Sequence, residues 1–280
     1  MNYNTFQILR FNLEDMVIDP AIVMIAKRGT GKSWITRDIV YHYRHIPGGA
    51  VIAPTDKMNS FYKFFFPDIY IHYEIKPEVL SKILARQQIM IDKSKEKKKK
   101  GIKVDPSGIL IMDDCLSQKK TWAKDQNITE ILMNGRHFRL TYVLTMQTPL
   151  GITPDLRLNF DYVFLLKEDS HINKKKLYEN YASMFPSLPY FEKIFTECTK
   201  DFSSMVIDNR KPTDTIQEKV FWFKAKDRSF TFGSKGFVGI HKKYYDPAFL
   251  RKRVAEQLHD NSRLFGGKKK NDVEVRIEKI

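Results

Sequence analysis

At 280 residues the chain is long enough to bury a full core without disulfide or metal staples, and 42% apolar with 29% charged residues is the balance of a globular protein. Forty-eight Lys and Arg against 33 Asp and Glu leave a formal charge of +15, which draws a protein towards polyanions, nucleic acid first, because each phosphate contact releases condensed counterions. Cys115 and Cys198 stand far apart in no metal-ligand spacing, which argues against a disulfide framework and a zinc site and for a reducing, cytoplasmic setting. The opening MNYNTFQILRFNLEDM lacks the cationic-then-apolar order of a signal peptide, and no uncharged apolar run reaches the roughly 18 residues of a membrane span.

Residues 1–20 read as a short strand and polar lead-in that ends at Pro20. AIVMIA (21–26) is a continuous apolar run, the pattern of a parallel strand buried on both faces. SWITRDIVYHYRH (33–45) has helical spacing, Gly48-Gly49 stops it, and AVIAP (50–54) is a second strand. An edge-like strand follows near 69–73, and PEVLSKILARQQIMID (77–92) is a helix opened by its proline. KSKEKKKKG (93–101) reads as a mobile basic loop, and GILIMDD (108–114) as a buried strand ending in two acids. A helix at 126–136, strands at 140–147 and 161–167, helices at 171–184 and 188–199, and strands near 204–208 and 219–226 complete the series. A late helix (247–260) and a basic tail close the chain. Alternating strands and helices up to about 167 predict an α/β fold, a mostly parallel sheet with helices on both faces. The expected division is a lead-in (1–20), one ATPase domain (21–240) and a C-terminal helix with its tail (241–280).

AKRGTGKS (26–33) lies between a buried strand and a helix, where a phosphate-binding loop belongs. Gly29 and Gly31 let the backbone turn its N–H groups inward, and the helix start adds its positive dipole end. Lys32 reaches the β- and γ-phosphates, and the Ser33 hydroxyl ligates Mg²⁺. The stretch expected to contact ATP is Lys27, Arg28, Gly29, Thr30, Gly31, Lys32, Ser33 and Trp34. Ala26 departs from the usual pattern, which has glycine at that position.

About 80 residues on, ILIMDD supplies the second half of the machinery. Asp113 is expected to hold Mg²⁺, and Asp114 to orient and deprotonate the attacking water. One acid here suits GTPases and many small-molecule kinases; two suit ATP-driven motors of the RecA-like kind. Such motors also insert a strand between the two motif strands, ending in a polar sensor, and LTYVLTMQ provides it with Gln147. Motors of this type work as rings in which an arginine completes a neighbour's site. Arg136, after Gly135 at a helix end, is the first candidate, with Arg139 and Arg157 behind it. His137 is read as packing or capping.

AKRGTGKSWITRDI, ILIMDDC, NGRHFR and VLTMQTP, in this order and spacing, resemble the genome-packaging ATPases of large cytoplasmic DNA viruses, the poxvirus-type branch of the FtsK–HerA superfamily of P-loop translocases. The likeness spans about 20–170. It implies a homo-oligomeric ring, of five or six subunits, that hydrolyses ATP with Mg²⁺ and pumps double-stranded DNA into a preformed capsid through a capsid or portal-vertex partner. Its place would be the viral factory in the host cytoplasm, or the virion. By position it assigns Lys32 and Ser33 to nucleotide and metal, Asp113 and Asp114 to the acidic motif, Gln147 to the sensor and Arg136 to the finger.

The rival readings are a cellular HerA-type translocase of repair or conjugation, a small-molecule P-loop kinase, and a non-hydrolysing nucleotide-dependent scaffold. The acidic pair and Gln147 argue against the last two. Lys93, Lys95 and Lys97–Lys100 are candidates for a DNA-facing surface, with Lys174–Lys176 and Lys268–Lys270 weaker ones. Phe64–Phe66 read as core packing rather than a subunit contact, and Phe221-Trp222-Phe223 as a strand covered on both faces.

Overall fold

The computed structural model describes residues 7–115, 125–213 and 215–248. The chain up to His241 packs as one unit, and the chain from Lys242 as a second. Most of the expected late helix and the basic tail, Lys268–Lys270 included, lie outside the described residues.

The first unit is built on one eight-stranded sheet. Its strands are β1 (Ala21–Ile25), β2 (Gly49–Ile52), β3 (Ile71–His72), β4 (Gly108–Asp113), β5 (Leu140–Met146), β6 (Tyr162–Leu165), β7 (Ser204–Asp208) and β8 (Val220–Phe223), in the order β3-β2-β4-β5-β1-β6-β7-β8. The first six are mutually parallel. β7 then pairs antiparallel to β6, and β8 antiparallel to β7. The expected mostly parallel sheet is therefore present, and the late strands complete its edge.

Helices cover both faces, which is why the strands read as unbroken apolar runs. In β1, Val23 and Ile25 face a cluster built with Leu80 of α2 (Pro77–Lys99), Ile131 of α3 (Gln126–Asn134), Leu177 of α4 (His171–Tyr181) and Phe191 of α5 (Leu188–Cys198). Ile22 and Met24 face the opposite cluster, with Ile35, Ile39 and Val40 of α1 (Lys32–His42). Each such side chain, fully buried, contributes about 1.5–3 kcal/mol. A one-residue slip of β1 would exchange its two faces, so the register is strongly held.

Phe65 and Phe66 are core residues, while Phe64 is exposed. In β8, Phe221 and Phe223 pack on one side and Trp222 on the other, as a strand covered on both faces requires. No helix among the described residues is long and apolar enough to cross a membrane.

The basic run corrects the sequence reading. Lys93–Lys99 are not a loop but the last turns of α2, which has 23 residues. Lysine and glutamate are good helix formers, and the Lys100–Glu96 pair at 3.0 Å supports the last turn. Gly101 ends the helix at φ +73, a left-handed conformation. Its N–H donates to Lys98 O and that of Ile102 to Lys97 O, the two bonds of a Schellman cap.

Two consequences of this topology place the site. All parallel strands deliver their C-terminal ends to one edge, where ligands of open α/β sheets bind. The reversal of β7 brings the turn leading into it to that same edge, together with the chain leaving β8.

Candidate active site

The loop after β1 turns through Gly29 (φ +75) and Gly31 (φ +99), conformations that suit glycine. Ala26 is buried, and its N–H donates to Met146 O at 2.9 Å, so this position continues the pairing with β5 rather than making a turn. Alanine serves there as well as glycine would. α1 begins at Lys32 with no side chain capping its first turn, so its amide groups point into the loop. Lys27 leans outwards and pairs with Glu168 at 3.0 Å. The bond to Glu168 raises the Lys27 pKa. Glu168 is buried, which favours its neutral form, but Ser170 N–H, Lys27 and Asn173 outweigh burial and hold its pKa below the usual range. This carboxylate anchors the loop after β1 to the loop after β6.

β4 and β5 are in parallel register with Asp113 opposite Thr145. That pairing assembles the acidic site. The Thr145 hydroxyl donates to Asp113 Oδ1 and accepts the Asp114 N–H at 3.1 Å. Asp113 Oδ1 also meets Lys32 Nζ at 3.0 Å. Asp114 sits at φ +51, a strained conformation for a non-glycine residue, and its Oδ2 accepts the Gln147 amide at 2.5 Å. Tyr62, fully buried, hydrogen-bonds Asp113; burial first, then the carboxylates of Asp113 and Asp56, push its pKa far up, so it remains a donor. Asp56 holds the turn that presents Tyr62 by accepting from Phe61 N–H (2.7 Å) and Tyr62 N–H (3.2 Å). Cys115 is buried with its thiol pKa raised by burial, a packing residue beside the acids.

Lys32, Ser33, Asp113, Asp114 and Gln147 thus line one cavity of about 790 Å³, together with Lys27, Arg28, Gly29, Gly31 and Trp34. Thr30 stands beside them, its hydroxyl donating to Lys27 O at 2.8 Å. The donors available to Mg²⁺, the Ser33 hydroxyl and the Asp113 carboxylate, are oxygen, as that hard cation demands. Thr145, Tyr62, Asp56 and Phe202 also belong to the site or its support, and sequence reasoning missed them.

The candidate fingers lie elsewhere. Arg136 and Arg139 precede β5, so they occupy the opposite edge of the sheet from this cavity. Arg136 pairs with Asp161, and Arg139 with Asp19 at 3.0 Å. Arg157 donates twice to Ile152 O and once to Asn180 within its own subunit. His137 is exposed, so it is not a packing residue.

A glycine-lined loop between a parallel strand and a helix, facing an acid-tipped strand across one inserted strand, defines a P-loop NTPase fold. The Poxvirus A32 protein family matches residues 8–180, and the chain belongs to that family. It is 66% identical over 277 residues to a protein of Acanthamoeba polyphaga mimivirus, covering 99% of this chain and 97% of that one. A protein of Invertebrate iridescent virus 6 is 32% identical over 235 residues, covering 82% and 88%. Among solved structures, B204, the DNA-packaging ATPase from Sulfolobus turreted icosahedral virus, matches with TM-score 0.52 and 15% identity, over 76% of this chain and 100% of that one. The B204 genome-packaging NTPase in complex with AMPPCP matches with TM-score 0.51 and 16% identity, over 75% and 99%. At these identities the likeness establishes the fold.

The Thr145 hydroxyl carries a prediction of its own. Thr145→Val keeps the shape and deprives the Asp114 N–H of its acceptor, which costs about 1–3 kcal/mol. Urea unfolding should report that loss, and a valine variant as stable as the parent would contradict the bridge.

Proposed function

We propose that this protein is an ATP-driven motor that packages double-stranded viral DNA into capsids and hydrolyses ATP·Mg²⁺ in the cavity described. The observation that carries the reading is the convergence of Lys32, Asp113, Asp114 and Gln147 at the sheet edge beside the phosphate loop. Membership of a viral family and a fold shared with a DNA-packaging ATPase support it.

In this reading the loop amides of 27–33 and Lys32 cradle the β- and γ-phosphates. Ser33 and Asp113 hold Mg²⁺, which neutralises charge on the phosphate oxygens. Asp113 is oriented for that task by Thr145 and Tyr62. Asp114 is the general base for the attacking water. The Gln147 amide nitrogen donates to Asp114, which leaves its carbonyl oxygen to accept from the same water. A positioned base of this kind contributes roughly 10²–10⁴-fold in rate.

Arg136 is the proposed trans finger of a five- or six-membered ring. Although it pairs with Asp161, its side chain is 61% exposed against 37% for Arg139, and Arg157 is held by three hydrogen bonds within its own subunit. Because Arg136 stands at the edge opposite its own cavity, it can serve only a neighbour that turns its cavity towards that edge. The lysines of α2 from Lys93 onwards form an exposed basic surface for duplex phosphates, where contacts carry no sequence information. A capsid or portal-vertex protein is the proposed partner, and the viral factory the proposed place of action.

Three experiments test these roles. Asp114→Asn should bind ATP like the parent and lose about 10²-fold or more in turnover, whereas Asp113→Asn should weaken Mg²⁺-dependent nucleotide binding. Reversed phenotypes would overturn the division. Displacement of a triplex-forming strand from duplex DNA should require ATP and fail with Asp114→Asn; displacement without hydrolysis would sink the motor. Separately, mixing Arg136→Ala with Lys32→Ala subunits should restore part of the ATPase, because an intact loop then meets an intact arginine. Mixed rings with no recovery would exclude Arg136 as the finger.

A further inference from the structure

The sheet order divides the cavity into two ends. β4 and β5, which carry Asp113, Asp114 and Gln147, lie on one side of β1. β6, β7 and β8 lie on the other. If terminal phosphates sit by Lys32 and the acids, the rest of a nucleotide must leave the loop towards β7 and β8. Three lining residues wait there: Phe202 from the turn leading into β7, and Lys224 and Ala225 from the chain leaving β8.

Phe202 is unusual in three respects. The residue is 68% exposed although it lines a cavity, and its ring pairs with no other aromatic ring among the described residues. It stands at φ +61, directly after Asp201 at φ +51, so two successive non-glycine residues are left-handed. Strain of this kind costs about 1–3 kcal/mol per residue and persists where the surrounding structure imposes it, often at a ligand clamp. The turn also touches the phosphate loop: a Cβ on Gly31 would come within 3.3 Å of Phe202 Cβ and of its carbonyl oxygen. Glycine at position 31 therefore answers to two demands, its own positive φ and the approach of this turn. The other exposed ring at the cavity, Trp34, already has the Arg37 guanidinium over it, 5.7 Å from the ring centre.

We infer that Phe202 is the stacking platform for the nucleobase, which makes the turn Lys200–Phe202 with Lys224 and Ala225 the base-binding end of the site. This rests on the nucleotide reading above. Stacking on a ring face is tolerant of base identity, because every base has a π-face, and it favours the larger purines by contact area.

The test compares the binding of Mg·ATP with that of Mg·tripolyphosphate, which has the phosphates and no base, in the parent, Phe202→Ala and Phe202→Trp. The alanine variant should weaken ATP binding on the order of tenfold or more and leave tripolyphosphate binding unchanged. The tryptophan variant should bind ATP at least as well as the parent. Equal losses for both ligands would mean that Phe202 merely props the loop at Gly31, and unchanged ATP affinity would mean that no base stacks there; either overturns the inference. A parent that binds neither ligand would instead overturn the nucleotide reading itself, and the inference with it. Thermal unfolding of each variant confirms that the exposed position tolerates the change.

Discussion

The site depends on one register. β5 lies between β4 and β1 with Thr145 opposite Asp113, and a single buried hydroxyl then serves both acids. It donates to the Asp113 carboxylate and accepts from the Asp114 backbone, fixing the first acid against Lys32 and turning the second towards Gln147. Shift β5 by one residue and the hydroxyl passes to the other face of the sheet, because strand side chains alternate. The two acids would then lose both their common support and their separate directions.

That register is held by hydrophobic packing rather than by the polar groups themselves. Ile109–Met112 in β4 and Tyr142–Leu144 in β5 are almost wholly buried, with helices on one face and α1 with the aromatic turn on the other. This doubly covered core offsets left-handed backbone at Asp114, Asp201 and Phe202. Those three residues lie at the C-terminal edge of the parallel strands, on either side of the phosphate loop. Strain at these positions is of the kind a ligand clamp holds, although Asp19 and Arg139, left-handed as well, lie before β1 and β5 at the opposite edge.

Much of this was legible in the chain itself. AIVMIA and ILIMDD read as buried strands because two-sided burial removes polar residues, and Lys32 and Asp113 could be placed together because strand-end chemistry is local. Thr145 could not be read, since one threonine in LTYVLTMQ looks like any other until the register sets it opposite Asp113. Phe202 lies about 170 residues from Gly31 in sequence, and only the reversal of β7 brings the two together. The lysine run misled for a different reason. Repeated lysines suit a solvated helix as well as a solvated loop, and the deciding signal was Gly101, whose left-handed cap fixes where the helix stops. Arg136 was rightly seen at a helix end, yet which edge of the sheet it occupies follows only from strand direction.

The proposed motor joins two parts of the molecule: a cavity that can hold a nucleotide, and a cationic surface suited to duplex phosphates. The most direct measurement is steady-state ATP turnover with and without long duplex DNA, with Lys32→Ala as the baseline. Turnover that needs Lys32 and rises severalfold on adding duplex DNA is the predicted result. Turnover indifferent to DNA, or equal in the Lys32→Ala chain, would contradict it.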